Sequence, residues 1–384
     1  MKISKSLKVV AAALALSFVA VQPAMAVGLT GAGATFPQPL IDACKAGFAA
    51  DSGHSFTYGG GGSGTGRGNS DKGVGDVNFS DTPHTAATRL ASVIHIPVVA
   101  APIAVMYNLP TSKNKTLNLS ANTLAGIFAG TITKWNDPAI VADNNRSITT
   151  IIYRKNADGS VKKDAKGNPI VLRKDTRTAV FTLPSSPIKV IYRSDASGTQ
   201  GNFTNFLAGA ASTVWTKAGN NDFKATFPGD LNSVSNLGRI TSASGSSGVT
   251  VLAGKTPYSI TFAEVNYATA NRLKVANVIN PAGASVAPDS AGVSAFLAEA
   301  AMDANGIVTF DYATKEKGAY PLGIVSYLLA DTKNPDAAKG KAVQEFASYI
   351  LSTKCAKDAG ADLGFSVLDG AFLKKAQALI ARIG

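Results

Sequence analysis

The segment that reads IKVIYRSDASGT, residues 188–199, joins a β-prone run to a polar loop that contains glycine. Residues 188–193 predict a strand, and helical sequence continues over residues 201–207. The SGT triplet at 197–199 therefore stands at a predicted helix N-terminus, where unpaired N–H groups and the helix dipole favour an anion. Arg193 adds a planar guanidinium that can bind an oxyanion through two hydrogen bonds.

Two earlier segments share this design. GAGATFP at residues 31–37 leads into a predicted helix over about 39–50, and GSGTG at 62–66 follows a strand-like run. Glycine allows the backbone to approach a ligand closely, and the hydroxyls of Thr35 and Ser63 add donors. Any one of the three segments alone is more typical of an ordinary helix cap. Their combination in one chain favours a site for an oxyanion.

Strand-like and helical stretches alternate along the chain. Residues 95–107 are apolar and rich in Val, Ile and Ala, which predicts one or two buried strands, whereas 121–128 and 340–352 have helical periodicity. This alternation predicts an α/β fold around a central sheet. No internal repeat is visible, and the length of 384 residues favours two domains.

The first 26 residues have the pattern of a secretory signal peptide. Three lysines precede an apolar run at 9–21, and Ala24-Met25-Ala26 is a small-x-small cleavage signal. The run is shorter than the roughly 20 residues that cross a bilayer, so a membrane anchor is the less favoured interpretation. We therefore expect cleavage after Ala26, a periplasmic or secreted mature protein, and no membrane-spanning segment in that mature chain.

Positive charge is concentrated in one segment. The whole chain has a formal net charge of +12, and the mature chain, with 34 basic and 25 acidic residues, has +9. Residues 153–177 carry eight basic and three acidic side chains and therefore contribute +5 of that charge. Turn signals within this segment separate short β-prone runs, which predicts an exposed β-ribbon. The ribbon is either a patch for an acidic partner or, as we favour, a solvated edge. Without interleaved aromatic residues or a motif, nucleic-acid binding is not expected.

Cysteine and histidine usage argues against metal and redox chemistry. Cys44 and Cys355 stand 311 positions apart, and the three histidines lack the spacing of metal ligands. In an exported protein the two cysteines can form a disulfide, although two buried free thiols are the alternative. The glycines at 59, 61 and 64 match a dinucleotide-binding pattern only because they lie in a glycine run, and no GxSxG nucleophile elbow is present. We expect no metal or cofactor.

Taken in order, GAGATFPQP, GGGGSGTG, VNFSDTP and YRSDASGT closely resemble the loops of the PstS family, the periplasmic phosphate-binding proteins of ABC importers. The resemblance covers most of the mature chain. It implies a two-lobed type II periplasmic-binding-protein fold that closes on inorganic phosphate and delivers it to an ABC permease in the inner membrane. Lobe I would comprise residues 27–104 and 322–384, and lobe II residues 105–321. Both cysteines then fall in lobe I.

The resemblance also implies a set of site residues. The phosphate ligands would be Thr35, Phe36, Ser63, Asp81, Arg193, Ser197, Gly198 and Thr199. Asp195 would hold the Arg193 guanidinium in place without contacting phosphate itself. An ionised carboxylate only accepts hydrogen bonds, so Asp81 would accept the proton that phosphate carries and sulfate lacks. This chemistry predicts strong discrimination between the two anions.

Other functions remain open from the sequence alone. A small secreted phosphatase on the same scaffold would need a nucleophile beside Arg193, and His84 stands three positions after Asp81. An envelope protein for adhesion or phosphate sensing would use the basic ribbon. The ribbon and the cysteine pair depart from the family pattern, as does Arg67, which either approaches the site or faces solvent. We expect a monomeric binding protein rather than an enzyme.

Overall fold

The structure is a computed structural model that describes residues 26–110, 115–178, 181–359, 363–366 and 368–384, with the backbone alone at 148–150 and 177–178. The predicted signal peptide lies outside the described residues except for Ala26. Strands and helices alternate through most of the chain, as the sequence predicts.

The described strands are β1 (Gly28–Gly33), β2 (Ser55–Gly60), β3 (Val77–Ser80), β4 (Val93–Asn108), β5 (Asn118–Ser120), β6 (Ser147–Tyr153), β7 (Val171–Thr178), β8 (Lys189–Arg193), β9 (Ile240–Ala243), β10 (Ser259–Glu264), β11 (Lys274–Val275), β12 (Asn277–Ile279), β13 (Ser285–Val286), β14 (Ala301–Met302), β15 (Val308–Thr309) and β16 (Gly323–Asp331). The described helices are α1 (Gln38–Ser52), α2 (Ser63–Asp71), α3 (Ala121–Phe128), α4 (Pro138–Asn144), α5 (Gly198–Ala210), α6 (Phe223–Thr226), α7 (Gly245–Lys255), α8 (Asn266–Ala270), α9 (Ser290–Leu297), α10 (Ala337–Ile350) and α11 (Gly370–Ile380), with a π-helical segment at Thr353–Ala359.

The main sheet runs in the order β2-β1-β3-β16-β4-β10-β8-β9, and β11 also pairs with β4. The apolar run that predicted one or two strands is the single strand β4, which is buried along nearly its whole length. Its first part, to Pro102, pairs antiparallel with β16, whereas the part from Ile103 onward pairs antiparallel with β10. We call the strands on the β16 side the first half-sheet and those on the β10 side the second half-sheet.

A second segment of chain passes between the half-sheets beside β4. The backbone N–H of Ile103 donates to the carbonyl of Leu322 at 2.8 Å, and the Tyr320 hydroxyl donates to the carbonyl of Ile103 at 2.8 Å. Both positions are buried. These bonds tie the two connections together at the place where β4 changes partner.

Two peripheral predictions are confirmed. Residues 153–177 form part of an antiparallel hairpin of β6 and β7, whose tip at 154–169 is exposed throughout. Cys44 in α1 and Cys355 in the π-helical segment form a disulfide with their Cα atoms 5.4 Å apart, so the alternative of two free thiols is wrong. This bond fixes the C-terminal region of the chain to the first half-sheet side of the molecule.

Candidate anion-binding site

Three strand-to-helix connections meet where the half-sheets face each other. The connections lead from β1 into α1, from β2 into α2 and from β8 into α5. Because β1 lies parallel to both β2 and β3, their carboxyl ends reach one edge of the first half-sheet, where the segment after β3 places Asp81. Open α/β sheets bind ligands at such carboxyl ends. The loops singled out in the sequence therefore form one cleft.

Backbone amides in these connections are available as donors. The N–H groups that donate to no other group in the described part of the chain include those of Thr35, Phe36, Ser63, Gly198 and Thr199. The last three stand in the first turns of α2 and α5, where the helix dipole also favours negative charge. The Phe36 ring is fully buried and packs edge-to-face on Phe365, which anchors its loop.

The Asp81 carboxyl is buried at the centre of the cleft, with 2% of its surface exposed. Ser326 Oγ donates to Oδ1 at 2.8 Å, Thr199 Oγ1 donates to Oδ2 at 3.4 Å, and the backbone N–H of Asp81 donates to Ser63 Oγ at 2.9 Å. Burial raises the pKa of Asp81 to about 7, although the hydrogen bonds and the charge of Arg193 oppose that rise. Asp81 can thus take up or release a proton near neutral pH.

Arg193 supplies the positive charge of the cleft and is also buried. Its Nε donates to Asp195 Oδ1 at 2.8 Å and its Nη2 to Asp195 Oδ2 at 2.5 Å, so Asp195 holds the guanidinium as the family resemblance implied. Burial works against ionisation of Asp195, but the bonds and charge of Arg193 hold the pKa of its carboxyl below the ordinary value. The remaining nitrogen, Nη1, donates to Ser246 Oγ at 3.2 Å.

Glycine permits close approach of the loops from opposite half-sheets. The backbone N–H of Gly64 donates to the carbonyl of Ala196 at 2.9 Å, and a Cβ on Gly64 would lie 2.5 Å from that of Ala196. A Cβ on Gly198 would lie 2.3 Å from Ser63 Oγ. Neither position leaves room for a side chain, so both glycines are required for the closed arrangement of the cleft.

Comparisons with known proteins identify the family of this chain. Residues 20–354 match the model of the PBP superfamily domain. The chain is 32% identical over 296 residues to the phosphate-binding protein PstS 3 of Mycobacterium tuberculosis, which covers 75% of this chain and 67% of that protein. The chain belongs to the PstS family of the PBP superfamily. A second relative, the phosphate-binding protein PstS of Xylella fastidiosa, is 27% identical over 334 residues, which is 85% of this chain and 78% of the relative.

Solved structures support the same fold. A high-affinity periplasmic phosphate-binding protein (PfluDING), bound with phosphate at pH 8.5, superposes with a TM-score of 0.64 at 22% identity and covers 91% of this chain and 93% of its own. The chain therefore has the two-lobed α/β fold of periplasmic binding proteins, with its ligand cleft between the lobes, which confirms the fold class predicted from the sequence.

The structure brings together all eight residues that the PstS resemblance implied. Ser197 caps α5 by accepting a hydrogen bond from the N–H of Gln200 at 3.2 Å, which leaves its hydroxyl hydrogen available. The Thr35 hydroxyl lies 3.2 Å from Ser246 Oγ, in the opposite half of the cleft. Their roles as ligands remain predictions that rest on this placement.

Three polar side chains in the cleft were not predicted from the sequence: Ser246, Glu264 and Ser326. All three are buried. The segment SGSSG at 244–248 has the same glycine and hydroxyl composition as the three recognised loops and opens α7, so composition could have revealed Ser246. Ser326 lies inside an apolar strand and carries no comparable signal.

Two residues left open by the sequence are also placed. Arg67 Nη1 donates to Thr82 Oγ1 at 3.4 Å, and Thr82 contacts Asn221 from the other half of the molecule, so Arg67 approaches the rim of the cleft. His84 Nε2 lies 2.6 Å from Asp71 Oδ1.

The described residues contain no cluster of metal-binding side chains, and none of their helices is long and apolar enough to cross a membrane.

Proposed function

We propose that this protein captures inorganic phosphate between its lobes and delivers it to an ABC permease after export by the predicted signal peptide. The observation that carries the proposal is the convergence of five available backbone amides and the buried Arg193 around one buried acid, Asp81. The relatives are named as phosphate-binding proteins. Neither their names nor the geometry calls for a chemical step, and we propose binding without catalysis.

Each predicted ligand has an assigned task in this proposal. The amides of Phe36, Gly198 and Thr199 and the hydroxyls of Thr35, Ser63 and Ser197 donate to phosphate oxygens, Arg193 pairs with the charge, and Asp81 accepts the phosphate proton. One arginine cannot neutralise a dianion, so neutral donors provide most of the stabilisation. Hydrogen bonds to charged groups contribute roughly 1.5–3 kcal/mol each. Several of them supply the roughly 8 kcal/mol of a micromolar complex after ordering costs.

Lobe closure is the proposed binding motion, with lobe I at 27–104 plus 322–384 and lobe II at 105–321. The change of partner along β4 and the hydrogen-bonded segment at 320–322 support hinges at these boundaries. Contacts between the halves, such as that of Gly64 with Ala196, would form on closure. We propose a monomer as the working unit.

Calorimetric titration of the mature protein with phosphate and then sulfate tests the function. The protein is first unfolded and refolded to remove carried-over ligand. We expect one phosphate per chain with micromolar or tighter affinity and no response to sulfate. Absence of binding for both anions would contradict the proposal, and equal binding of both would contradict the role of Asp81.

A further inference from the structure

Glu264 is a buried acid beside the cleft that the proposed phosphate ligands do not include. It ends β10, in the middle of the second half-sheet, and 1% of its surface is exposed. Its Oε1 lies 3.0 Å from Ser246 Oγ, while Oε2 is buried and has no partner among the described residues. An ionised carboxylate with one buried, unsatisfied oxygen is strongly unfavourable. An uncharged acid suits this position better.

The Ser246 hydroxyl is the meeting point of three polar groups. Its Oγ lies 3.0 Å from Glu264 Oε1, 3.2 Å from Arg193 Nη1 and 3.2 Å from Thr35 Oγ1. A hydroxyl has one hydrogen to donate and two lone pairs that accept. Arginine only donates, so Ser246 must accept from Arg193. The direction of the other two bonds depends on the proton of Glu264.

The two protonation states of Glu264 give Thr35 opposite roles. If Glu264 is ionised, Ser246 donates to it, and the contact between Ser246 and Thr35 is a hydrogen bond only when Thr35 donates its own hydrogen to Ser246. If Glu264 is protonated on Oε1, it donates to Ser246, and Ser246 donates to Thr35 instead. Thr35 Oγ1 also lies within 3.4 Å of the Ser246 backbone N–H as an acceptor. Only the protonated state therefore keeps the hydrogen bond between Ser246 and Thr35 while it leaves the Thr35 hydrogen free for an anion.

Burial of Glu264 favours the same state. Arg193 from β8, Asp81 from the segment after β3, and Tyr267 from α8 are the titratable groups that interact with it, while β4 places Ile103 opposite. Asp195 already engages Arg193 through two nitrogens. Burial raises the pKa of Glu264 to about 8 and the charge of Asp81 adds a little to this rise, although the backbone N–H of Glu264, the charge of Arg193 and the Ser246 hydroxyl all oppose it. A bound anion would add further negative charge.

We propose that Glu264 is a positioning residue of the phosphate site that acts as an uncharged acid, directing the Ser246 hydroxyl toward Thr35 so that Thr35 can donate to phosphate. This inference rests on the proposed function. By linkage, ionisation of Glu264 and binding of phosphate oppose each other. Titration of phosphate and of Asp81 will itself change phosphate affinity at alkaline pH. We expect the observed affinity to fall further than these two titrations account for.

Calorimetric titration with phosphate from pH 6 to pH 9.5 tests the proposal on wild type and Glu264→Gln. Glutamine keeps a donor for Ser246 at every pH. At pH 6.5 we expect the two proteins to bind within about threefold of each other. Above about pH 8 the wild type should lose affinity relative to the variant, by at most about tenfold per pH unit. Titration of phosphate and Asp81 is common to both proteins, so their difference isolates Glu264.

Two further variants complete the test. Glu316→Gln changes an exposed glutamate of a surface turn and should reproduce the wild-type profile. Ser246→Ala removes the hydroxyl that connects Glu264 to Thr35, and it provides a test even if Glu264→Gln fails to fold. We expect this variant to bind phosphate more weakly, with a pH dependence of affinity that no longer reflects Glu264. Identical profiles for wild type and Glu264→Gln, or loss of binding by that variant at pH 6.5, would overturn the assignment. Absence of phosphate binding by the wild type at every pH would instead contradict the proposed function.

Discussion

Replacing Asp81 with asparagine tests the proposed basis of anion selectivity. The Asp81 carboxyl accepts hydrogen bonds from Ser326 and Thr199 and offers no hydrogen of its own when ionised. A fully ionised sulfate in its place would face a buried negative charge and an acceptor. Asparagine removes that charge and presents an NH2 donor to the anion. We expect Asp81→Asn to gain sulfate affinity and to narrow the difference between phosphate and sulfate.

The expected size of the change follows from the burial of the site. One hydrogen bond to a charged group contributes roughly 1.5–3 kcal/mol, which corresponds to about tenfold to a hundredfold in affinity. We therefore expect the phosphate-to-sulfate affinity ratio to fall by at least about tenfold. Phosphate affinity should change less, because the asparagine carbonyl can still accept the phosphate proton.

The same substitution should alter stability in a pH-dependent way. Burial raises the pKa of Asp81 from 3.8 to about 7, so the folded protein binds more protons than the unfolded chain between these values. The free energy of unfolding then falls as pH rises through this window, by about 1.4 kcal/mol per unit and on the order of 4 kcal/mol in all. Asparagine does not titrate. The anion-free variant should therefore gain stability relative to wild type between pH 5 and pH 8.

Calorimetry with both anions and urea unfolding at pH 5 and pH 8 measure these effects. Asp137→Asn is a matched control, since Asp137 caps α4 and asparagine is an equally good cap. The control should change neither selectivity nor the pH dependence of unfolding. An unchanged phosphate-to-sulfate ratio in Asp81→Asn would refute the proton-acceptance argument.

Three other predictions concern charge, closure and the disulfide. Arg193→Ala should weaken phosphate binding by at least tenfold in calorimetry, because it removes the buried positive charge of the cleft; equal affinity would exclude Arg193 from the site. Gly64→Ala should weaken binding by about tenfold or more, because its Cβ blocks closure, whereas Gly68→Ala in the same helix meets nothing within 4 Å and should bind normally. Replacing Cys44 and Cys355 with serine should lower the urea midpoint at unchanged phosphate affinity, since closing a loop with a separation of 311 contributes up to about 5–6 kcal/mol on the chain-entropy model. An unchanged midpoint would show that the bond does not contribute to stability.

Local signals in the sequence were sufficient for much of this molecule. Strand-like runs followed by glycine and hydroxyl residues indicated where β8 ends and α5 begins, because capping and turn formation depend on neighbouring residues. The β6–β7 hairpin is predictable for the same reason. The order of the four recognised loops added the family, and with it the lobes that placed Cys44 near Cys355.

Tertiary structure decided which further side chains reach the cleft. Ser326 bonds to Asp81 across 245 positions because β16 lies antiparallel beside β3 with Tyr327 opposite Ser80. Glu264 reaches Ser246 because β10 runs parallel to β8, which brings the end of β10 level with Arg193 at the end of β8. Sequence alone determined the connections that present donors, since each forms from adjacent residues. The positions of Glu264 and Ser326 in the cleft depend instead on strand order and register. Hydrophobic segments that are distant in the sequence fix that order and register only when they pack together.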